Sequence, residues 1–597
     1  MQAVNVSKQS NTSERSSSGE YESARWRGIV TVSFSVVLLA ACGGGANEEE
    51  ARVSAEGEGP FVAQTTEPEA SRFLAQASYG ADDGSIEDVQ RYNYAGWLQR
   101  QFAMRPRNAH QAYINSVSAS GNNPNQSHVQ HTFWKEAATA PDQLRQKVAF
   151  ALSQIFVISM RDSAVGGYER GVASYLDMLG REAFSNYRVI LEQVTLHPMM
   201  GIYLSHLRNQ KASGNRVPDQ NYAREVMQLF SIGLYELNQD GTPIVVGGQP
   251  VETYDNDDII GLSHVFTGFS WAGPDKQNGR FYGSSSNPPR DPNRDVLPMQ
   301  SYPQFHSTEE KRFLGTVIPA QGTPDADNSL RIALDAIFNH SNVAPFIGRQ
   351  LIQRLVTSNP SPGYVARVAQ AFNTGIYDTG SWRTGAGARG DMRATIAAVL
   401  LDREARDISM VTQIGFGKVR EPVLRLAAWM RAYNANSASR NYLLGNTDSS
   451  TSSLGQSALR SPSVFNFYRP GYVPPNTSIA SANLVAPEFQ ILHETSVVGY
   501  SNFMRSIVPS GVGSNSPRDI QPDYSKEMAL ADDSDALIDR VDLLLTSGTM
   551  SDETKDLVRD AVESVSINPL KSTSGRESRV HLAVFFTLSS PDFIVQK

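Results

Sequence analysis

Residues 143–160 read QLRQKVAFALSQIFVISM. Apolar side chains cover most of the wheel such a segment makes as a helix, so it is expected to be long, helical and buried on most sides. Working outward, helical periodicity begins near Pro68. Leu74, Ala75 and Ala77, then Val89, Trp97, Leu98 and Phe102, indicate two short helices. Helices also fit 172–182, 186–196, 220–236, 256–267, 328–339, 342–357, 363–373, 391–405, 421–434, 484–506, 535–546, 553–565 and 578–589. Few segments alternate with a period of two. The best β candidate is a hairpin around Asp240-Gly241 that continues through Ile244-Val245-Val246 to Gly247-Gly248. The expected fold class is mainly α: a large multi-helix globular domain over 67–597, with one short β-hairpin and two long irregular loops at 272–303 and 435–483. No internal repeat is apparent.

Of the 597 residues, 19% are charged and 40% hydrophobic, which is ordinary globular material. The net charge of −8 without a dense Lys/Arg block argues against a nucleic-acid partner. The one cysteine, Cys42, directly follows an apolar run from Ile29 to Ala41 that Arg25 and Arg27 precede. That run is short for a span of roughly 20 residues and has the parts of a secretory signal. Leu39-Ala40-Ala41-Cys42 resembles the lipobox of bacterial lipoproteins. The resemblance implies a signal peptide over 1–41, acylation of Cys42 and anchorage to a membrane by lipid. The competing readings are a short membrane anchor or a chance match. Arg25-Trp26-Arg27 is not a twin arginine, which points to the general export route. Residues 42–66, rich in Gly, Glu and Ala, form an expected flexible acidic tether. With Cys42 acylated no thiol remains, which removes disulfides, thiolate nucleophiles and Cys-ligated zinc.

The predicted helix over 220–236 carries Asn221, Arg224, Glu225 and Gln228 at spacings of three, four and seven, on one stripe. On so apolar a helix the stripe must face a partner, a ligand or a wet cavity. It is read either as an internal network fixing helix packing or as a site with Glu225 as base or metal ligand. Tyr254 precedes Asp255, Asn256, Asp257 and Asp258, where Asp255 or Asn256 is a natural N-cap and the acids suit the helix dipole. His264 lies two turns further, on an apolar face where a hydrogen-bonded core role is the more common one. His306 sits in the polar loop QFHSTEEKRFLG before Lys311, free to reach into a site. Glu225, His264, His306 and Asp255 are therefore the candidate ligands of a divalent metal such as zinc, iron or manganese. Glu225, Arg224, His306 and Arg420 are the candidate catalytic groups. Asn221, Tyr254, Lys311, Arg460, Asn466, Tyr468 and Arg469 are the candidate ligand-binding groups. No His-Glu-x-x-His helix, Walker loop or Gly-x-Ser-x-Gly elbow is present. His128 and His131 have no third partner nearby. The glycine pattern at 385–390 lacks a preceding strand, so a dinucleotide site is rejected. Residues 460–472, RSPSVFNFYRPGY, gather aromatics, arginines and an asparagine. Such a loop suits a sugar or peptide groove, and equally suits clamping itself onto a helical body.

These segments together resemble the bacterial family catalogued as domain of unknown function 1800. The matching residues are Ser71-Arg72-Phe73-Leu74-Ala75-Gln76-Ala77, the LRQKVAFALSQIFVIS helix, His197-Pro198-Met199 and Asn221-Tyr222-Ala223-Arg224-Glu225. They continue through Phe266-Thr267-Gly268-Phe269, the His306/Lys311 loop with Leu314-Gly315, Arg420-Glu421-Pro422 and RSPSVFNFYRPGY. Phe269 stands where members often have Trp. Met227-Gln228 replaces the usual Leu-Glu, which removes a carboxylate from the stripe and weakens a two-carboxylate mechanism. The resemblance implies a secreted, mostly helical bacterial protein with no assigned reaction. It also implies a genomic neighbour, a sulfatase-like protein of the domain of unknown function 1501 family, as partner. Gly43 rather than Asp after the cysteine favours the outer membrane of the cell envelope. Two readings of function remain: a surface binding or assembly lipoprotein, and a metal-assisted hydrolase of extracellular polysaccharide or another polymer.

Overall fold

Residues 143–160 do begin as a helix, but it runs only over Gln143–Ser153. Of its residues only Gln146 is not buried, so Arg145 and Lys147 are enclosed with the apolar ones. Arg145 donates to the carbonyls of Gly180 (2.9 Å) and Met104 (2.8 Å) and lies over the Phe184 ring. From Gln154 onward β-branched and aromatic residues lower helix propensity, and the chain opens into an irregular but buried segment. Its backbone groups find distant partners: Phe156 O accepts from the Tyr175 hydroxyl, and Met160 N donates to Leu459 O.

The computed structural model describes residues 65–567 and 573–597. The expected signal peptide, Cys42 and the expected tether up to residue 64 lie outside the described residues. The first helix, Glu67–Ala77, opens with a capping box between Thr66 and Glu69. The protein is mainly α: among the described residues there are 24 helices and only two-stranded ladders. They form one compact unit within Ala63–Lys597, and none of their helices is long and apolar enough to cross a membrane.

Among the described residues, six short antiparallel ladders replace the single expected hairpin. The expected one pairs Val245–Val246 with Gln249–Pro250, turning at Gly247 and Gly248, which both have positive φ. The turn at Asp240-Gly241 makes the adjoining bridge between Leu237 and Pro243. The irregular segments hold further short elements. Phe269–Ser270 pairs with Gln300–Ser301 across the first, and Asn436–Ser437 pairs with Ile520–Gln521 from within the second.

The core has two aromatic clusters. Phe133 packs on Tyr79, Trp134 and Phe150. Phe156 packs on Tyr187 and Phe230. The predicted helix over 220–236 stops early, at Asn221–Gln228. Leu229 N and Phe230 N both donate to Glu225 O, and Ile232 N and Gly233 N both donate to Met227 O. Gly233, at φ +75°, completes this winding-down in the left-handed region. The chain then turns into the 234–253 hairpin segment, leaving a gap between it and the Val343–Leu355 helix.

Candidate functional site

That gap is a cleft of about 430 Å³, within the usual range for small-molecule sites. Leu229, Leu234, Leu237, Phe346, Val464 and Phe465 give it apolar walls. Helix Val343–Leu355 supplies its polar side: Arg349, Gln350, Gln353 and Arg354 all reach it. Three of these four, all but Arg349, are buried to within 6% exposure. Arg354 donates to Gln154 O (3.1 Å) and Gln350 O (3.3 Å). Burial lowers its pKa, against the fields of Tyr468, Glu421 and Glu488. Even so, Arg354 Nε, Gln350 Nε2 and Gln353 Oε1 have no hydrogen-bond partner in the protein. Such orphans are costly unless a ligand or water meets them.

Behind the cleft lies a buried charged layer. Glu421 Oε2 accepts from Gln154 Nε2 (2.6 Å) and Gln456 Nε2 (2.5 Å). Gln154 Nε2 also lies 3.4 Å from the Tyr468 hydroxyl. Lys418 Nζ pairs with Glu488 Oε1 at 3.2 Å and donates to Arg354 O at 2.9 Å. Gln154 and Tyr468, which face the cleft, are thus held from behind by Glu421. Burial, then the Glu421 field, pushes the Tyr468 hydroxyl well above the ordinary tyrosine range.

The 460–472 loop is clamped to the body at one end and lines the cleft further on. Arg460 clamps: it pairs with Asp448 (3.2 Å) and donates to Gln126. Asn466 is buried at φ +63°, with its Nδ2 unpartnered. Tyr468 and Arg469 line the cleft, with Arg469 exposed over the Phe465 ring at 4.5 Å.

The other sequence candidates lie elsewhere or apart. On the short Asn221–Gln228 helix, Asn221 and Arg224 are exposed, Glu225 is buried and Gln228 reaches the cleft. Glu225 Oε2 has no partner, and burial raises its pKa although Arg224 opposes the shift. Tyr254 is half-buried, raised to about 12 by burial first and the Glu225 field second. Asp255 is the N-cap of Asn256–Val265, accepting from Asp257 N (2.8 Å) and Asp258 N (3.1 Å).

His264, His306 and Lys311 do come together, around Thr267, Ser307 and Glu309. His264 Nδ1 faces Ser307 Oγ (3.0 Å) and Glu309 Oε2 (3.2 Å), and burial lowers its pKa. His306 is not free in its loop: it is fully buried, with Nδ1 donating to Thr267 O (2.8 Å) and Nε2 3.1 Å from Ser329 Oγ. Burial holds its pKa at about 4. Lys311 is also fully buried, donates to Glu309 O (3.1 Å) and is lowered to about 8 by desolvation. Glu225 and Asp255 hydrogen-bond to neither histidine. Among the described residues no three His, Cys, Asp or Glu side chains converge as a metal set, so the four candidate ligands do not fit a shared divalent ion.

Arg420 has other partners. It donates to Leu545 O (3.3 Å), lies over Phe593 at 4.3 Å and is lowered to about 10 by burial and by Arg425. Its neighbour Glu421 is the residue that backs the cleft. Sequence reading also passed over Gln154, Arg349, Gln350, Gln353 and Arg354. The signal was present: four polar residues on one side of an apolar helix, the pattern noticed at 221–228 but not at 349–354.

The fold and the cleft define a large helical protein built around an apolar recess with an arginine- and glutamine-lined side. The chain belongs to the family described as Protein of unknown function (DUF1800), whose model matches residues 72–595. No curated protein and no solved structure matches the chain.

Proposed function

We propose that this is a ligand-binding protein of the bacterial cell envelope. In this reading it is held at the outer membrane by acyl chains on Cys42 and works with a secreted sulfatase-like partner of the domain of unknown function 1501 family. The observation that carries the binding role is the preformed cleft itself, with apolar walls beside a side lined by Arg349, Gln350, Gln353 and Arg354. An apolar recess with a few polar side chains on one side is the usual form of a small-molecule site. His306, Lys311 and Arg420, by contrast, spend their polar atoms on backbone or neighbouring side chains. The test is binding of a neutral, environment-sensitive apolar dye to the full chain carrying Cys42→Ser, which removes the acylation site. Leu234 lines the cleft yet is 47% exposed, so Leu234→Glu changes the wall without unfolding it. Dye affinity should fall at least tenfold in Leu234→Glu. An equal affinity in both proteins would sink the reading.

One observation favours the second reading, a polymer hydrolase. Glu225 is buried, raised by desolvation, and one helical turn from Gln228 at the cleft. A carboxyl so placed has the character of a general acid. Release of soluble sugars from envelope polysaccharide by the wild type, abolished in Glu225→Gln, would support it. No release by the wild type would dismiss it.

A further inference from the structure

The cleft's charge is at odds with that of the chain. The whole protein carries −8, yet the cleft is lined by three arginines and no Asp or Glu. Arg354 is engaged by carbonyls and lies in the fields of Glu421 and Glu488. Arg349 and Arg469 are different. Both are exposed, and neither guanidinium has an acidic partner among the described residues. Arg469 rests on Phe465, which orients its charge without neutralising it. Two uncompensated guanidiniums beside an apolar recess form a site for a charge-assisted bond, stronger for the low polarity of its walls.

We propose that the cleft takes an organic anion with an apolar body, a carboxylate or phosphate head on a hydrocarbon chain. The apolar walls take the chain and Arg349 and Arg469 take the head. This rests on the reading of the cleft as a binding site and adds the chemical class of its occupant. Because Gln154 and Tyr468 are fixed by the Glu421 layer, part of the wall is in place before the ligand arrives, which lowers the cost of ordering it.

The experiment is calorimetric titration of the full chain carrying Cys42→Ser with dodecanoate, dodecyl phosphate and dodecanol, each below its aggregation threshold. Both anions, or whichever head the site prefers, should bind at least tenfold more tightly than the alcohol. Arg349→Ala with Arg469→Ala should bring the anions down to the alcohol's affinity, and shortening dodecanoate should weaken binding by roughly fourfold per methylene. The relative affinities of carboxylate and phosphate tell the two head groups apart. Circular dichroism of the double variant, whose substituted side chains are exposed, verifies the fold. Dodecanol binding as tightly as the anions would overturn the anion assignment and leave the cleft a site for neutral ligands. An anion preference that survives the double substitution would overturn the role of the two arginines. If none of the three ligands binds, both this inference and the binding reading fall.

Discussion

At the scale of single residues, burial decides which polar side chains are structural and which remain available. His306 illustrates the first kind. Both ring nitrogens are engaged and its pKa is held at about 4. A histidine whose folded pKa is depressed favours the unfolded chain as pH falls from its ordinary 6.5 toward 4, because only the unfolded form then takes up the proton. His306→Ala should cost roughly 2–3 kcal/mol at pH 7, the usual consequence of leaving buried partners unmet. That gap should close toward pH 4, where the wild type has itself lost about 3 kcal/mol through this residue. Urea denaturation at both pH values reads this directly, and a gap independent of pH would contradict it. Glu225 has the opposite sign. Its pKa is raised by burial, so the fold retains a proton that the unfolded chain releases, and stability is lost as pH rises from the ordinary carboxyl range through the raised value. Glu225→Gln should therefore be more stable than the wild type at pH 8 and closer to it at pH 4. Destabilisation at pH 8 would mean that its carboxylate is paired.

At the scale of elements, the helices were legible because their apolar stripes are long and regular, while their ends were set by partners that no local pattern reveals. The 143–160 segment has helical periodicity throughout, yet it opens after Ser153 because carbonyls such as Phe156 O find side chains far along the chain. The 220–236 segment ends at Gln228 because Gly233 turns the chain out, and that turn creates the cleft. A Cβ at Gly233 would come 2.8 Å from Phe346 Cε2, on a backbone at φ +75°. Gly233→Ala should thus destabilise the protein by about 1–2 kcal/mol through the left-handed conformation alone. It should also displace Phe346 into the cleft and weaken dye or dodecanoate binding. Thermal denaturation and titration of the same variant separate the effects; unaltered binding would show that Phe346 does not shape the recess. The small ladders escaped sequence reading for a related reason. Runs of two residues, such as Phe269–Ser270, carry no alternation to detect.

At the scale of the whole molecule, the site depends on segments hundreds of residues apart, which is why so little of it was legible. The loop at 460–472 was recognisable by composition, and Tyr468 and Arg469 do line the cleft. Its opposite side comes from Val343–Leu355, and its backing from Gln154, Glu421 and Glu488, whose meeting is purely tertiary. The C-terminus locks this arrangement. Val595–Gln596 pairs with Lys418–Val419, placing Gln596 opposite the lysine that neutralises Glu488. Gln596 Nε2 donates to Leu355 O (2.8 Å), at the end of the helix that supplies two of the cleft's three arginines, and Arg72 Nε donates to Lys597 O (3.2 Å). Deleting Val595–Lys597 removes the strand pairing and both side-chain bonds. At about 1 kcal/mol for each hydrogen bond the loss should reach roughly 3 kcal/mol or more. It should also admit water to the Lys418–Glu488 pair, now fully enclosed, and loosen the wall held by Arg354. The truncated chain should therefore unfold at lower urea and bind dodecanoate more weakly at temperatures where it is still folded. Arg72→Ala, which removes the contacts to Lys597 O, Arg406 O and the Phe416 ring, should lower stability with less effect on binding. If truncation weakens the fold but leaves affinity unchanged, the C-terminal strand closes the body of the protein without shaping its site.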